Sequence, residues 1–321
     1  MLARIQPLID QSRRPQQSGF TAGRSTIDAI LALRLLSELH REFNRPLNVA
    51  FLDIKSAFDS VDRTALWKAL RSKGIPDIIL QLITALHENT GARIKVGQKL
   101  SSRISTTSGV RQGCILAPIL FCVAIDWIIQ HMSFNPGITV GSSTFTDLVY
   151  ADDTALLLPS ATDATPSLKS FSDSASHLGL NISWPKTKLQ NIGSGPKPPD
   201  ISVDGNTVES VNSFVYLGSL QSSDGQCRPD LTRRIGLSCA VITSLKRIWR
   251  DKRLTLDNKL RIYKTLVLSV LLYAADTWTL LSADVLTLTA PNACSKATCC
   301  HSKYARTYGF LVACRTLKRL R

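Results

Sequence analysis

Two acidic positions set into apolar, strand-like sequence constrain this chain more than anything else in it. Residues 47–54, LNVAFLDI, are a short run of strand formers with one carboxylate, Asp53, toward the end, and such a run reads as a buried central strand. Residues 145–158, FTDLVYADDTALLL, alternate about Ala151, Asp152 and Asp153, which predicts a hairpin with two acids at its tip. A lone acid on a buried strand demands an explanation. If strand and hairpin are neighbours, three carboxylates converge, and their repulsion is tolerable only beside cations; Mg2+ with oxygen ligands fits. Two such ions about 4 Å apart lower the pKa of an attacking hydroxyl and stabilise both in-line oxygens of a phosphoryl transfer. Taken alone, the tetrapeptide at the tip is more commonly an ordinary solvated turn.

The surrounding pattern is mixed. Residues 25–43 repeat apolar side chains at three-to-four spacing, a one-faced helix that Ser25 or Thr26 can cap. Helices are expected from Asp62 to Gly74, from Pro76 to about Glu88 and from about Leu116 to His131, with Pro118 in the first turn of the last. Residues 92–107 read as a basic hairpin. Leu168, Phe171, Ala175 and Leu178 share a helical face that Gly179 ends, and a strand is expected over Thr187 to Ile192. A loop over 193–200, a hairpin about Asp204 and Gly205, and a strand pair in FVYLGSL close the α/β part. From about Arg228 to Leu281 the pattern is helical throughout, and residues 233–264 hold ten Lys or Arg against Asp251 and Asp257, a separate basic subdomain. Beyond about Ser282 periodicity fades, and a poorly ordered tail is expected.

Charge narrows the partner. In 321 residues, 39 Lys and Arg face 24 Asp and Glu, a formal +15, which favours a polyanion over other partners but says nothing of chemistry. No long uncharged apolar run and no secretory start appear, so a soluble, intracellular protein with no membrane partner is expected. Eight irregularly spaced cysteines predict buried thiols and no disulfide framework. Cys294, Cys299, Cys300, His301 and Cys314 match no paired zinc-ligand spacing.

Six blocks in order, QSGFTAGRST, AFLDIKSAFDSVD, SGVRQGCILAPILF, YADD, GLNISWPKTK and FVYLGS, resemble the reverse transcriptases of non-LTR (LINE-type) retrotransposons over residues 4 to about 281. The resemblance implies an α+β right-hand polymerase, with an antiparallel-sheet palm carrying helices on one face. It implies partial fingers over 1–47, the first palm motif over 48–62, fingers and palm helices with a hairpin over 63–107, palm over 108–220, a helical basic thumb over 221–282 and a tail over 283–321. It also implies RNA-directed DNA polymerase activity by two-metal nucleotidyl transfer, with Mg2+, or Mn2+ in its place, and with an RNA template, a DNA primer and deoxynucleoside triphosphates as partners; a nuclear location follows by the same likeness.

Residue by residue, Asp53 resembles the first metal ligand, with the Ile54 carbonyl as companion, Asp152 the second, and Asp153 completes the acidic set. Phe58 resembles the ring under the sugar of the incoming nucleotide, whose bulk would collide with a 2′-hydroxyl; plain core packing is the alternative. Gln112 and Gly113 resemble the turn that approaches template base or nucleotide. Arg24 resembles a triphosphate clamp, and otherwise is a surface arginine at a helix start. Lys186 resembles a general acid toward pyrophosphate, and otherwise is a solvated lysine. Phe214, Tyr216, Leu217 and Gly218 resemble the primer grip. The helices of 228–264 resemble the thumb, which follows an RNA/DNA duplex through its phosphates.

The chain departs from the pattern too. Beside the resemblance, a largely missing finger segment before Pro15 and no preceding endonuclease domain are expected, Ser183 stands where the pattern has asparagine beside the atypical Trp184 and Pro185, and a frameshifted or decayed end is expected. Those departures leave a truncated, catalytically silent nucleic-acid-binding remnant as the second reading. RNA synthesis is a third, which the aromatic Phe58 disfavours.

Overall fold

The computed structural model describes residues 1–284, which fall into two compact units divided between Asn212 and Ser213. The expected tail, with its cysteines and His301, lies outside the described residues apart from positions 283 and 284.

The first unit runs α1 (Leu2–Ser12), α2 (Thr26–Glu42), β1 (Asn48–Leu52), α3 (Ala57–Ser60), α4 (Arg63–Ser72), α5 (Asp77–His87), then the short strands β2 (Gly91–Ala92), β3 (Lys95–Val96), β4 (Lys99–Leu100) and β5 (Ile104–Ser105). It continues through α6 (Ala117–Gln130), β6 (Ile138–Val140), β7 (Ser143–Phe145), β8 (Asp147–Tyr150), β9 (Asp153–Leu158), α7 (Ala164–Ser176), β10 (Lys188–Asn191), β11 (Ile201–Val203) and β12 (Asn206–Ser210). Helix starts follow local chemistry: the Asp28 carboxylate accepts the Ser25 N–H at 2.6 Å ahead of α2, and Asp62 accepts the Ala65 N–H at 2.7 Å ahead of α4. Caps of this kind contribute about 1 kcal/mol each.

Six strands form the sheet, in the order β11-β12-β10-β1-β9-β8, antiparallel except where β10 meets β12. All five residues of β1 are buried, as a strand covered on both faces must be. Ala50 and Leu52 join one apolar cluster with Leu156, Leu158 and Leu189 of the sheet and with Leu66, Phe121, Leu168 and Phe171 of the helices α4, α6 and α7. Phe121 is fully buried there, and truncating such a ring to alanine typically costs about 3–5 kcal/mol. The helix α2 is tied to the sheet where Ser37 and Arg41 donate to the Ile192 carbonyl, at 2.6 and 3.1 Å. The expected α+β architecture, with an antiparallel sheet under helices, is the one observed.

The second unit opens with the hairpin β13 (Ser213–Tyr216) and β14 (Ser219–Ser222), followed by α8 (Arg228–Ser244), α9 (Lys246–Arg250), α10 (Leu256–Ile262), a π-helical stretch over Tyr263–Leu268 and α11 (Ser269–Leu271). Helix is not continuous here. It breaks at Asp251–Thr255, where Asp251 accepts from the Arg253 N–H at 2.8 Å and Thr255 restarts the ladder by capping Asn258 at 3.4 Å. The expected thumb boundary at 221 falls within β14, whereas the contacts group both β13 and β14 with the helices that follow. No described helix is long and apolar enough to cross a membrane.

Candidate active site

The register of β1 fixes the site. Leu52 pairs with Thr154 on β9, and Tyr150 pairs with Asp153 across the β8–β9 turn. The pairing ends at Leu52, so Asp53 leaves β1 next to the start of β9, where Asp153 precedes Thr154. Asp152 occupies the turn itself. There Ala151 has φ +59° while Asp152 does not enter the left-handed region, the pattern of a II′ turn, whose first central residue is usually glycine.

Asp153 senses both of the other acids. Desolvation by the surrounding protein, then the charges of Asp152 and Asp53, push the Asp153 carboxyl up to about 6, although its side chain reaches solvent. Asp53 Oδ2 is buried without a hydrogen-bond partner, and the exposed Lys186 ammonium forms an ion pair with it at 3.4 Å. Ser183 N–H donates to the Asp53 carbonyl at 2.7 Å, and Lys55 N–H donates to that of Asn181 at 2.9 Å. These bonds flank the bridge between Ile54 and Ile182 and leave the Ile54 carbonyl unused by it. An oxygen-only donor set, with a carboxylate oxygen that accepts no hydrogen bond, fits a hard divalent cation. Against that, among the described residues no three His, Cys, Asp or Glu side chains are drawn close enough to hold a metal ion as they stand.

Helix α3, which begins four residues after Asp53, and the segment 108–113 are stitched together. Val110 N–H donates to the Phe58 carbonyl and Gly109 N–H to that of Val61, both at 2.8 Å, and Gln112 Nε2 reaches Asp59 Oδ2 at 3.4 Å. Phe58 is half-buried and stacks on Phe121, with centroids 4.6 Å apart and planes at 21°. Gly113 has φ +82° with open space where a Cβ would stand, so backbone conformation, not crowding, requires glycine. Arg63 holds these segments from below: it donates to the carbonyls of Gly109 at 2.8 Å and His87 at 2.7 Å and to Thr90 Oγ1 at 3.0 Å. Sequence reasoning missed Arg63, since nothing in its helical context marks a residue whose partners come from three other segments. Arg24 lies exposed in the turn before α2, its N–H donating to Thr21 at 3.1 Å, and nothing brings its guanidinium to the acids.

In the second unit, Phe214 and Tyr216 stand on β13, and Leu217 and Gly218 form the turn, at φ +46° and +80°. That turn is held on both carbonyls. Tyr273 Oη donates to Leu217 at 2.8 Å, and Arg233 and Arg234 both donate to Gly218, the former at 3.2 Å. Buried Asp230 accepts from the Leu220 N–H at 2.9 Å, from Ser219 Oγ at 3.2 Å and from Trp278 Nε1 at 3.3 Å.

Residues 1–220 match the family model described as reverse transcriptase (RNA-dependent DNA polymerase). The chain belongs to the reverse transcriptase family. Its relatives include the Pol polyprotein of the type-1 retrotransposable element R2 of Popillia japonica, 29% identical over 65% of this chain and 37% of that protein. A second is the R2 polyprotein of Nasonia vitripennis, 32% identical over 46% of this chain and 15% of that one. A third is the RNA-directed DNA polymerase of the mobile element jockey of Drosophila funebris, 26% identical over 75% and 28%. The domain is therefore a reverse transcriptase domain of the non-LTR retrotransposon kind, and the chain spans well under half the length of these relatives. A telomerase of Candida tropicalis, solved with a fragment of telomeric RNA, overlays at TM-score 0.48 and 13% identity over 99% of this chain and 53% of that one, a likeness too slight to argue from. Reverse transcriptases generally use divalent metal ions, in keeping with the donor set around Asp53.

Proposed function

We propose that this reverse transcriptase domain extends a DNA primer on an RNA template from deoxynucleoside triphosphates. Asp53, Asp152, Asp153 and the Ile54 carbonyl would hold two divalent ions, Mg2+ or in its place Mn2+. The observation that carries the reading is that Asp53 ends β1 next to the strand that begins at Asp153 beside the Asp152 turn, where the charges of Asp152 and Asp53 help to raise Asp153. When bound, the ions would supply a lowered pKa for the primer 3′-hydroxyl and charge stabilisation of the in-line oxygens.

The chain's own groups do the rest. Phe58, backed by Phe121, offers a rigid ring edge under the sugar and excludes a 2′-hydroxyl. Gln112 and Gly113 line the same loop, where a side-chain amide and bare backbone can approach a base. Lys186 holds a proton at Nζ beside Asp53, placed to protonate a leaving pyrophosphate or to neutralise the acids while no cation is bound. Arg24 would clamp the triphosphate only if the turn before α2 moves toward the acids. Phe214, Tyr216, Leu217 and Gly218 would hold the primer end, and the basic helices from Arg228 onward would follow the duplex through its phosphates. Copying into chromosomal DNA would place the protein in the nucleus.

Primer extension on an RNA template with Mg2+ tests the reading. Wild-type chain should extend, and Asp53→Asn should lower the rate by at least about 100-fold with duplex binding retained. Equal extension by Asp53→Asn would refute the assignment. A second reading, a nucleic-acid-binding domain without turnover, is favoured by the Lys186 ammonium seated on Asp53 and by the acids' failure to close into a ligating cluster. Duplex binding by a wild-type chain that extends no primer would establish it.

A further inference from the structure

The turn that carries Asp152 is strained for its sequence, and something must hold it. Ala151 adopts φ +59° without the freedom of glycine, a conformation that persists only where surrounding structure over-determines it. The segment before α2 supplies that structure. Ser18 N–H donates to the Val149 carbonyl at 2.8 Å and Val149 N–H donates to that of Gln16 at 3.2 Å, so Gln17 lies as a one-residue parallel bridge along the outer edge of β8. The Arg14 guanidinium pairs with Asp147, the fully buried first residue of β8, and anchors the same segment one end further back.

From that edge the Gln17 side chain reaches the turn. It is 2% exposed, and Oε1 accepts from the Ala151 N–H at 3.2 Å and from the Gly19 N–H at 2.9 Å. Two donors on one oxygen fix which way the amide points. Gly19 is pressed against the turn so closely that a Cβ there would lie 2.3 Å from the Ala151 nitrogen, so glycine at 19 is what permits the approach. Gln16 through Gly19 therefore pack directly against the acidic turn.

We infer that Gln17 is a positioning residue for the catalytic turn: its side-chain oxygen holds the Ala151 amide and so sets where the Asp152 carboxylate stands. The inference rests on the proposed polymerase reading for its effect on rate, but its contact does not. Without the oxygen, the Ala151 and Gly19 donors are left buried and unpaired, the left-handed turn loses its lock, and Asp152 shifts or fluctuates. Displacement of a reacting group by about 1 Å can lower a rate by about 100-fold, with little effect on substrates bound elsewhere.

Hydrogen exchange at Ala151 tests the contact and primer extension its consequence, both on the full chain. In Gln17→Leu, which keeps the volume and removes the acceptor, the Ala151 amide should exchange at least about ten-fold faster, while amides of β1 and α6 keep their protection. In Gln17→Glu, which keeps an acceptor oxygen, it should stay within about two-fold of wild type. In extension assays Gln17→Leu should lower kcat by about 10- to 100-fold and leave KM for primer-template within about two-fold. Unchanged exchange at Ala151 in Gln17→Leu overturns the inference whatever the activity. Faster exchange with unchanged kcat, in a wild type that extends primers, overturns the positioning role. If wild type extends no primer, the proposed activity fails and exchange alone decides whether Gln17 holds the turn.

Discussion

Asp126 offers a test that is independent of any activity. It sits on α6 at 2% exposure, one acid in a helix whose other buried residues are apolar or a thiol. Burial pushes its carboxyl up from 3.8 to about 6, against the opposing pull of the Arg14 charge and backbone N–H, then Lys73 and Arg13. Oδ2 accepts the Arg14 N–H at 3.4 Å, and Oδ1 has no hydrogen-bond partner. In the unfolded chain the group ionises near 3.8, so between about pH 4 and pH 6 the folded state binds more protons, and stability falls as pH rises through that window. A rise from 3.8 to about 6, at about 1.4 kcal/mol per unit, amounts to about 3 kcal/mol lost by neutral pH. Asparagine has the shape of the neutral acid and keeps an acceptor for Arg14; its amide donors add only an offset that does not vary with pH. The stability of Asp126→Asn relative to wild type should therefore grow by about 3 kcal/mol from about pH 4 to about pH 7. Urea unfolding at each pH, read in the first unit by pulsed hydrogen exchange at the α6 amides, measures it. A difference that stays flat across the window, or shrinks, would refute the claim that Asp126 is held ionised at a cost.

Two further outcomes follow from single contacts. Phe58→Ala should lower the preference for deoxynucleotides over ribonucleotides by at least about ten-fold in kcat/KM; an unchanged ratio would show that the ring merely packs on Phe121. Asp230→Ala leaves the Leu220 N–H, Ser219 and Trp278 without their shared acceptor and Arg234 without its nearby carboxylate, and should destabilise the second unit by about 3–5 kcal/mol in denaturant unfolding. A loss under about 1 kcal/mol would mean that Tyr273, Arg233 and Arg234 hold the turn at Leu217 and Gly218 without help from Asp230.

What the sequence disclosed and what it hid divide along a physical line. Strand β1 was legible as a continuous apolar run and the β8–β9 hairpin as alternation about a turn, and both are local signals. The helix starts at Ser25 and Asp62 were legible because a cap and its hydrogen-bond partner lie three residues apart. Gln17 was not, since its partner Ala151 lies 134 positions away and glutamine in QSGFTAGRST has no periodicity to betray burial. Only the glycine two places on, at a site of close approach, hinted that backbone would press there. Arg63 was hidden for the same reason, and the π-helical Tyr263–Leu268 for another: YKTLVL carries an ordinary helical pattern, and the wider turn shows only in the backbone. Asp126 looked like one polar residue in an apolar helix, which composition cannot tell from a surface position.

These hidden contacts share a form, a side-chain atom bonded to backbone or charge far away in sequence, and that form decides what they do. Apolar pattern can place a strand beside a hairpin but cannot say that Ala151 takes a conformation natural to glycine, nor what compensates it. A side-chain oxygen can, because a hydrogen bond is directional where apolar burial is not. In this chain the strands bring the end of β1, where Asp53 follows, next to Asp153 at the start of β9, whereas the posture of the turn that presents Asp152 depends on Gln17. Catalytic geometry is accordingly more sensitive than folding to that position, and substitutions at Gln17 should separate the two properties where substitutions in β1 cannot.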